Sequence, residues 1–106
     1  MGDLLKVLST VDITVMDQLT SIVILATAQR LKLDPSAIHL SSSFIRDLGA
    51  DSLSFVEIVM ALEDRLGVSV PDRDLEQLNT VQDLCEYLFQ RIDKAAFAEK
   101  ASKNGS

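Results

Sequence analysis

The spacing of the apolar residues constrains the fold of this chain more than any other feature. Apolar residues recur every three to four positions in three long segments, which is the period of an amphipathic helix. The sequence contains no sustained alternation of apolar and polar residues, the pattern typical of a half-buried strand. With 106 residues, the chain is long enough for one domain around one hydrophobic core. The sequence therefore predicts an all-α fold.

Three long helices and one short helix are predicted, packed together as a small bundle. The first long helix ends before Asp34, because a residue that precedes a proline disfavours the α conformation. The second ends before Gly67, a residue type suited to the position just past a helix end. The predicted helices cover residues 14–31, 52–66, 71–78 and 81–92.

The helical domain is expected to lie between two extensions. The domain itself covers residues 14–92. Residues 1–13 form an N-terminal extension. Residues 93–106, in which Ala, Lys, Ser and Asn predominate, form a flexible C-terminal tail.

The charge balance limits the classes of partner. Sixteen Asp and Glu residues oppose ten Lys and Arg residues, so the net charge is −6. A negative surface repels phosphate groups, which argues against nucleic acid or an acidic membrane surface and favours basic partners. The longest apolar run, residues 22–26, is far shorter than a membrane span, and the N-terminus lacks the basic flank of a signal peptide. We expect a cytoplasmic monomer without an integral membrane segment.

No catalytic or metal-binding constellation is expected. His39 is the single histidine and lies in a connection, and Cys85 lies on the apolar stripe of the last helix, where a buried inert thiol is typical. Asp72, Asp74 and Glu76 resemble the start of a calcium loop. The sequence there lacks the glycine and the bidentate glutamate that an EF-hand requires.

The predicted second helix has two apolar faces. Its core stripe consists of Phe55, Val59, Leu62 and Leu66. A second cluster is displaced from that stripe and consists of Leu53, Val56 and Met60, flanked by the carboxylates Glu57, Glu63 and Asp64. One interpretation is a surface that docks onto a basic, apolar patch of a partner. The other is that Val56 and Met60 pack beneath the short third helix.

Ser52 stands where the second helix begins. A serine at this place is most often an N-cap, whose oxygen accepts hydrogen bonds from the first turn. The same place also suits a covalently attached phosphate, because a helix N-terminus carries free N–H groups and partial positive charge.

Residues 47–53, DLGADSL, resemble the attachment motif of acyl carrier proteins. The similarity continues through residues 56–64, 70–72 and 78–84 and covers about residues 15–92. This resemblance implies a small acyl-carrier-like helical bundle and a non-catalytic protein. It also implies that Ser52 carries 4′-phosphopantetheine, transferred from coenzyme A by a phosphopantetheinyl transferase, and that the thiol of this arm holds acyl groups as thioesters.

The resemblance further assigns two sets of contact residues. The family's acidic second helix is its recognition surface for acyl transferases and synthases with basic docking patches. The matching residues are Asp51, Leu53, Val56, Glu57, Met60, Glu63 and Asp64. The positions that match the lining of the family's acyl pocket are Phe44, Leu62, Val70, Leu75, Leu78 and Leu84. Leu75 and Leu84 stand where alanine is common, which predicts a shallow pocket.

The resemblance leaves the pathway open. Ser54, Arg65 and Arg73 replace carboxylates that are common in carriers of general fatty-acid synthesis. We expect a carrier for fatty-acid or related lipid biosynthesis. The alternatives are a specialised carrier for a polyketide or modified-lipid pathway and an acidic helical interaction module that carries nothing.

Overall fold

The computed structural model describes residues 10–94, 96 and 97. Within these residues the chain forms four α-helices, one 3-10 helix and no β-strand. In chain order the elements are α1 (Thr10–Leu31), the 3-10 helix (Pro35–Ala37), α2 (Ser52–Leu66), α3 (Asp72–Leu75) and α4 (Val81–Arg91). The predicted all-α bundle of three long helices and one short helix is confirmed.

Two helices differ from their predicted bounds by more than one residue at an end. α1 begins at Thr10 rather than at residue 14, and Asp12 in its first turn favours this start because a carboxylate stabilises the positive end of a helix. α3 covers only Asp72–Leu75. The amides of Gln77 and Leu78 bond to carbonyl groups three residues earlier, so the chain continues past α3 as turns rather than as a helix.

The two predicted extensions are described only in part. Residues 10–13 of the N-terminal extension belong to α1. In the C-terminal tail, the Phe97 N–H donates to the Asp93 carbonyl at 2.9 Å, so the tail begins with a helical turn. The parts that lie outside the described residues are 1–9, 95 and 98–106. The flexibility of the tail stays a prediction.

The hydrophobic core lies where α1 packs against α2 and α4. On α2 the predicted core stripe is confirmed for Phe55, Val59 and Leu62, Ile58 joins it, and Leu66 is half-buried. The largest fully buried apolar side chains are Val15, Leu19, Val23, Phe44, Ile58, Leu62, Val81, Leu84 and Leu88. Burial of these side chains stabilises the bundle by about 1.5–3 kcal/mol for each large one.

Two helices end in the left-handed conformation. Gly67, at the predicted end of α2, has φ 68°, and its N–H donates to the Glu63 carbonyl at 2.8 Å. At the end of α1 the same conformation falls on Lys32, with φ 58°. The following amide, of Leu33, donates to the Ala28 carbonyl at 2.9 Å and closes the helix end.

The long connection before α2 is attached to the start of α4 by backbone hydrogen bonds. The Phe44 N–H donates to the Asn79 carbonyl at 3.0 Å, and the Val81 N–H donates to the Ser42 carbonyl at 3.0 Å. The connection then folds back on itself, since the Ala50 N–H donates to the Phe44 carbonyl at 2.8 Å. These bonds place the first residues of α2 beside the segment that contains α3. None of the helices formed by the described residues is long and apolar enough to cross a membrane.

Candidate functional site

Ser52 is the first residue of α2 and is not its N-cap, which corrects the capping interpretation. The N-cap is Asp51, whose carboxylate accepts from the Ser54 N–H at 2.8 Å. In return, the Ser54 hydroxyl accepts from the Asp51 N–H at 3.0 Å. This reciprocal pair is a capping box, with serine in the place that glutamate or glutamine usually takes.

The Ser52 side chain is free because its neighbours cap the helix. It is exposed, and its hydroxyl has no hydrogen-bond partner among residues 10–94, 96 and 97. The N–H groups of Ser52 and Leu53 also have no acceptor in this part of the chain. Modification of the hydroxyl therefore breaks no hydrogen bond within the described residues, and two free donors at a helix N-terminus stabilise a negative charge placed there.

Asp51 supplies a negative charge next to Ser52. Hydrogen bonds from the Ser54 N–H and then from the Ser54 hydroxyl hold the pKa of the Asp51 carboxyl below its usual range, and the charge of Arg30 acts in the same direction. The Asp51 carboxylate is therefore charged at neutral pH.

An open groove of about 730 Å³ lies beside Ser52. Its walls come from the connection before α2, from α2 itself and from the segment around α3. The apolar residues that line it are Phe44, Ile45, Phe55, Val56, Leu75 and Leu78. The rings of Phe44 and Phe55 lie 4.9 Å apart at 52° and form one wall.

The structure divides the six predicted acyl-pocket residues into two groups. Phe44, Leu75 and Leu78 line the groove beside Ser52. Leu62, Val70 and Leu84 are buried and do not line it. That an acyl chain occupies the groove stays a prediction.

The second apolar cluster of α2 is largely exposed. Leu53 is 67% exposed and Met60 is 56% exposed, so Met60 does not pack beneath α3. Val56 is half-buried and lines the groove together with Leu75, so for this residue the packing interpretation is correct in part. Leu53 and Met60 are therefore free to contact another protein.

The carboxylates around this cluster differ in the hydrogen bonds and ion pairs that they form. Glu57 forms an ion pair with Arg30 of α1. The Glu63 carboxylate accepts from the Val70 N–H at 2.7 Å and so holds the chain after α2. Asp64 is exposed and forms no hydrogen bond or ion pair within the described residues.

Sequence reasoning missed several residues at this site. The Asp51–Ser54 capping box could have been found, because an N-cap residue three positions before a side-chain acceptor is a local pattern. Arg46 and Asn79, which also line the groove, have no local signal. Their positions depend on the hydrogen bonds between the connection and α4.

The remaining titratable residues form no metal-binding group in the described part of the chain. No group of three or more His, Cys, Asp or Glu side chains there could hold a metal ion. Cys85 is buried as predicted, and burial raises the pKa of its thiol to about 11. Asp74, from the acidic segment considered as a calcium loop, accepts hydrogen bonds from Tyr87 and Arg91.

Comparison with known proteins identifies relatives. The profile of the family described as "Phosphopantetheine attachment site" matches residues 21–88. A Bdellovibrio bacteriovorus protein named acyl carrier protein is 50% identical over 60 residues, 57% of this chain and 77% of that protein. The acyl carrier protein of Clostridium perfringens is 45% identical over 67 residues, 63% of this chain and 88% of that protein. That of Phaeodactylum tricornutum is 50% identical over 60 residues, 57% of this chain and 79% of that protein.

Proposed function

The chain belongs to the acyl carrier protein family, and on this premise we propose that Ser52 carries its prosthetic group. Acyl carrier proteins are carriers rather than enzymes, and they hold 4′-phosphopantetheine covalently. When attached, this group supplies a thiol on a flexible arm, on which an acyl chain is held as a thioester. The arm comes from coenzyme A through a separate phosphopantetheinyl transferase.

The observation that carries the proposal is the free hydroxyl of Ser52 at the first position of α2. It is exposed and has no intramolecular bond to lose among the described residues. The unpaired N–H groups of Ser52 and Leu53 suit the negative charge of a phosphodiester at that oxygen. The chemistry of these residues therefore fits the group, and the groove beside them offers space for an attached chain.

We further propose that partner enzymes dock on the exposed apolar residues of α2. Leu53 and Met60 supply apolar contact, and Asp64 is a carboxylate free to meet a basic patch. Asp51, Val56, Glu57 and Glu63 complete the predicted surface at its edges. Transferases and synthases with basic patches are the partners that this chemistry favours. Weak electrostatic docking suits a carrier, because it allows rapid exchange between enzymes.

The acyl groups are proposed to serve fatty-acid or related lipid biosynthesis in the cytoplasm. A specialised carrier for a polyketide or modified-lipid pathway is the alternative, favoured by Ser54, Arg65 and Arg73. Elongation assays separate the two: the loaded protein is given malonyl-coenzyme A together with the malonyl transferase and ketoacyl synthase of fatty-acid synthesis from its own organism. Two-carbon extension, seen by mass spectrometry, supports the first pathway, and absence of extension supports the second.

Intact mass spectrometry tests the attachment residue. The protein is incubated with coenzyme A and a phosphopantetheinyl transferase, and we expect one mass gain of a single phosphopantetheine group. Ser52→Ala should abolish the gain. It should change the free energy of unfolding by no more than about 0.5 kcal/mol, because Ser52 does not cap α2.

Ser54→Ala is the matched control, since it removes a hydroxyl two residues away. This variant should still gain the full mass, although it loses one half of the capping box. Modification that persists in Ser52→Ala would overturn the assignment. A wild-type protein that never gains mass would instead support the helical interaction module.

A further inference from the structure

The segment around α3 is held in place by contacts at both of its ends. A helix of four residues is too short to be stable by itself, so its position depends on tertiary contacts. At the start of the segment, the Val70 N–H donates to the Glu63 carboxylate at 2.7 Å. At its end, the Asn79 carbonyl accepts from the Phe44 N–H at 3.0 Å.

Three side chains hold the middle of the segment to α4, and we call them the α3 anchor: Asp74, Tyr87 and Arg91. The Tyr87 hydroxyl donates to Asp74 Oδ2, and Arg91 Nη2 lies 3.2 Å from the same oxygen. The Arg91 guanidinium carbon also lies 4.6 Å from the centre of the Tyr87 ring. Burial and then the hydrogen bond to Asp74 raise the pKa of Tyr87, so its hydroxyl remains a donor.

The anchored segment forms one wall of the groove beside Ser52. Leu75 follows Asp74 directly, and both Leu75 and Leu78 line this groove. Leu78 also lines a smaller hollow on the side of Tyr87 and Arg91. The segment around α3 therefore lies between the groove and the α4 side chains Tyr87 and Arg91.

We propose that the α3 anchor limits the length of acyl chain that the groove shelters, by preventing the segment around α3 from moving away. This inference rests on the proposed carrier function. The groove itself is open, but the interior behind it is closely packed, so a long chain can extend from the groove into the interior only if a wall is displaced. The bonds at Val70 and Asn79 hold the ends of the segment, whereas the α3 anchor is the side-chain contact that resists movement of its middle.

Tyr87→Phe tests the proposal, because it removes only the hydroxyl that reaches Asp74. Hydrogen exchange of the free-thiol form should be about fivefold faster at the amides of Gln77 and Leu78, given the usual contribution of one hydrogen bond. The thermal midpoint should also depend differently on acyl length. When the attached chain is lengthened from octanoyl to palmitoyl, we expect the thermal midpoint to rise about 4 °C more in the variant than in wild type.

Two further variants make the test specific. Asp74→Ala removes the anchor from the α3 side and should reproduce both effects. Glu86→Gln is the control, because the Glu86 carboxylate bonds to Gln82 on α4 itself at 3.1 Å and does not reach α3. This control should show wild-type exchange and wild-type dependence on acyl length.

Each of four other results would contradict one part of the proposal or its premise. Unchanged exchange in Tyr87→Phe and Asp74→Ala means that the α3 anchor does not hold the segment. Faster exchange with an unchanged dependence on acyl length means that the anchor does not limit the chain. If acylation stabilises none of the proteins although mass spectrometry shows full loading at Ser52, the groove does not shelter the chain and the inference fails while the carrier function stands. If no protein is loaded at all, the carrier function fails.

Discussion

At the scale of single residues, the division of roles around Ser52 matters most. Serine is a good N-cap, yet here Asp51 and Ser54 cap α2 and leave the Ser52 oxygen without an intramolecular bond in the described residues. A residue that both capped the helix and carried a prosthetic group would lose one role on modification. The separation of the two roles allows attachment without loss of helix stability.

The charge of Asp51 should make the cap sensitive to acid. Because the pKa of Asp51 is lower in the folded protein than in the unfolded chain, its stabilising effect is full above the unfolded value and disappears as pH falls through the folded value. Asp51→Asn keeps a capping side chain but cannot titrate. We expect wild type to be more stable at neutral pH and the gap to close in acid.

Urea denaturation of both proteins between neutral pH and about pH 3, just below the ordinary carboxyl value, measures this gap. Asp34 has a similarly lowered pKa through hydrogen bonds from Ser36, and it is present in both proteins, so its effect cancels. A gap that stays constant or widens in acid contradicts the assignment.

Cys85 should not react with thiol reagents in the folded protein. Its thiol is buried and its pKa is raised to about 11, so the reactive thiolate is scarce at neutral pH. In a titration with Ellman's reagent, the folded apo protein should not react and the holo protein should release one equivalent, from the arm thiol. The same apo protein in guanidinium should release one equivalent. Rapid reaction of folded apo protein would mean that Cys85 is accessible.

At the scale of elements, the helix ends show how local sequence and backbone conformation interact. Gly67 adopts the left-handed conformation at little cost, and the space around it is open. Lys32 adopts the same conformation at the end of α1 although it has a side chain. α1 has to end near Lys32, because Pro35 disfavours the α conformation of Asp34 and so prevents the helix from continuing.

Exchanging residue types at these two ends should have opposite effects on stability. Lys32→Gly places glycine, which adopts the left-handed conformation without strain, at this helix end. The substitution should raise the free energy of unfolding by up to about 1 kcal/mol. Gly67→Ala should lower it by about 1 kcal/mol, through conformation alone, because nothing lies within 4 Å of the added methyl group. Urea denaturation midpoints give both values.

Lys32→Ala separates the effect of the backbone from that of the side chain. It removes the lysine side chain and retains a residue that resists the left-handed conformation. Its stability should therefore match wild type. If Lys32→Ala and Lys32→Gly stabilise equally, the lysine side chain rather than the backbone is responsible.

At the scale of the whole molecule, the groove and the core are separate spaces. Leu75 is half-buried and lines the groove, whereas Leu84 is fully buried among the side chains between the helices. Both are larger than the alanine common in the family. The structure thus places only one of the two in a position to limit the depth of the groove.

Truncation of each leucine should distinguish the two spaces. Leu84→Ala should lower the free energy of unfolding by about 2–5 kcal/mol, because it leaves an enclosed cavity in the core, and acylation should not restore this loss. Leu75→Ala should cost less and should increase the stabilisation by a palmitoyl chain. Thermal unfolding of the free-thiol and acyl forms measures both. If acylation restored the stability lost in Leu84→Ala, this would show that the chain reaches the core.

The sequence by itself determined the features that depend on residues close together in the chain. Helical periodicity specified the all-α fold, because one turn of helix brings residues three and four positions apart onto one face. The left-handed end at Gly67 and the motif around Ser52 were likewise readable from a few adjacent residues. The family assignment followed from such local patterns in sequence order.

Only the tertiary structure decided which of these residues meet residues that are distant in sequence. It showed that Glu57 pairs with Arg30, that Glu63 holds Val70, and that Asp74 is bonded to α4. It also assigned the predicted pocket residues to either the groove or the core. Spacing along the chain identifies the face of a helix, but the side chains opposite that face depend on how the helices pack.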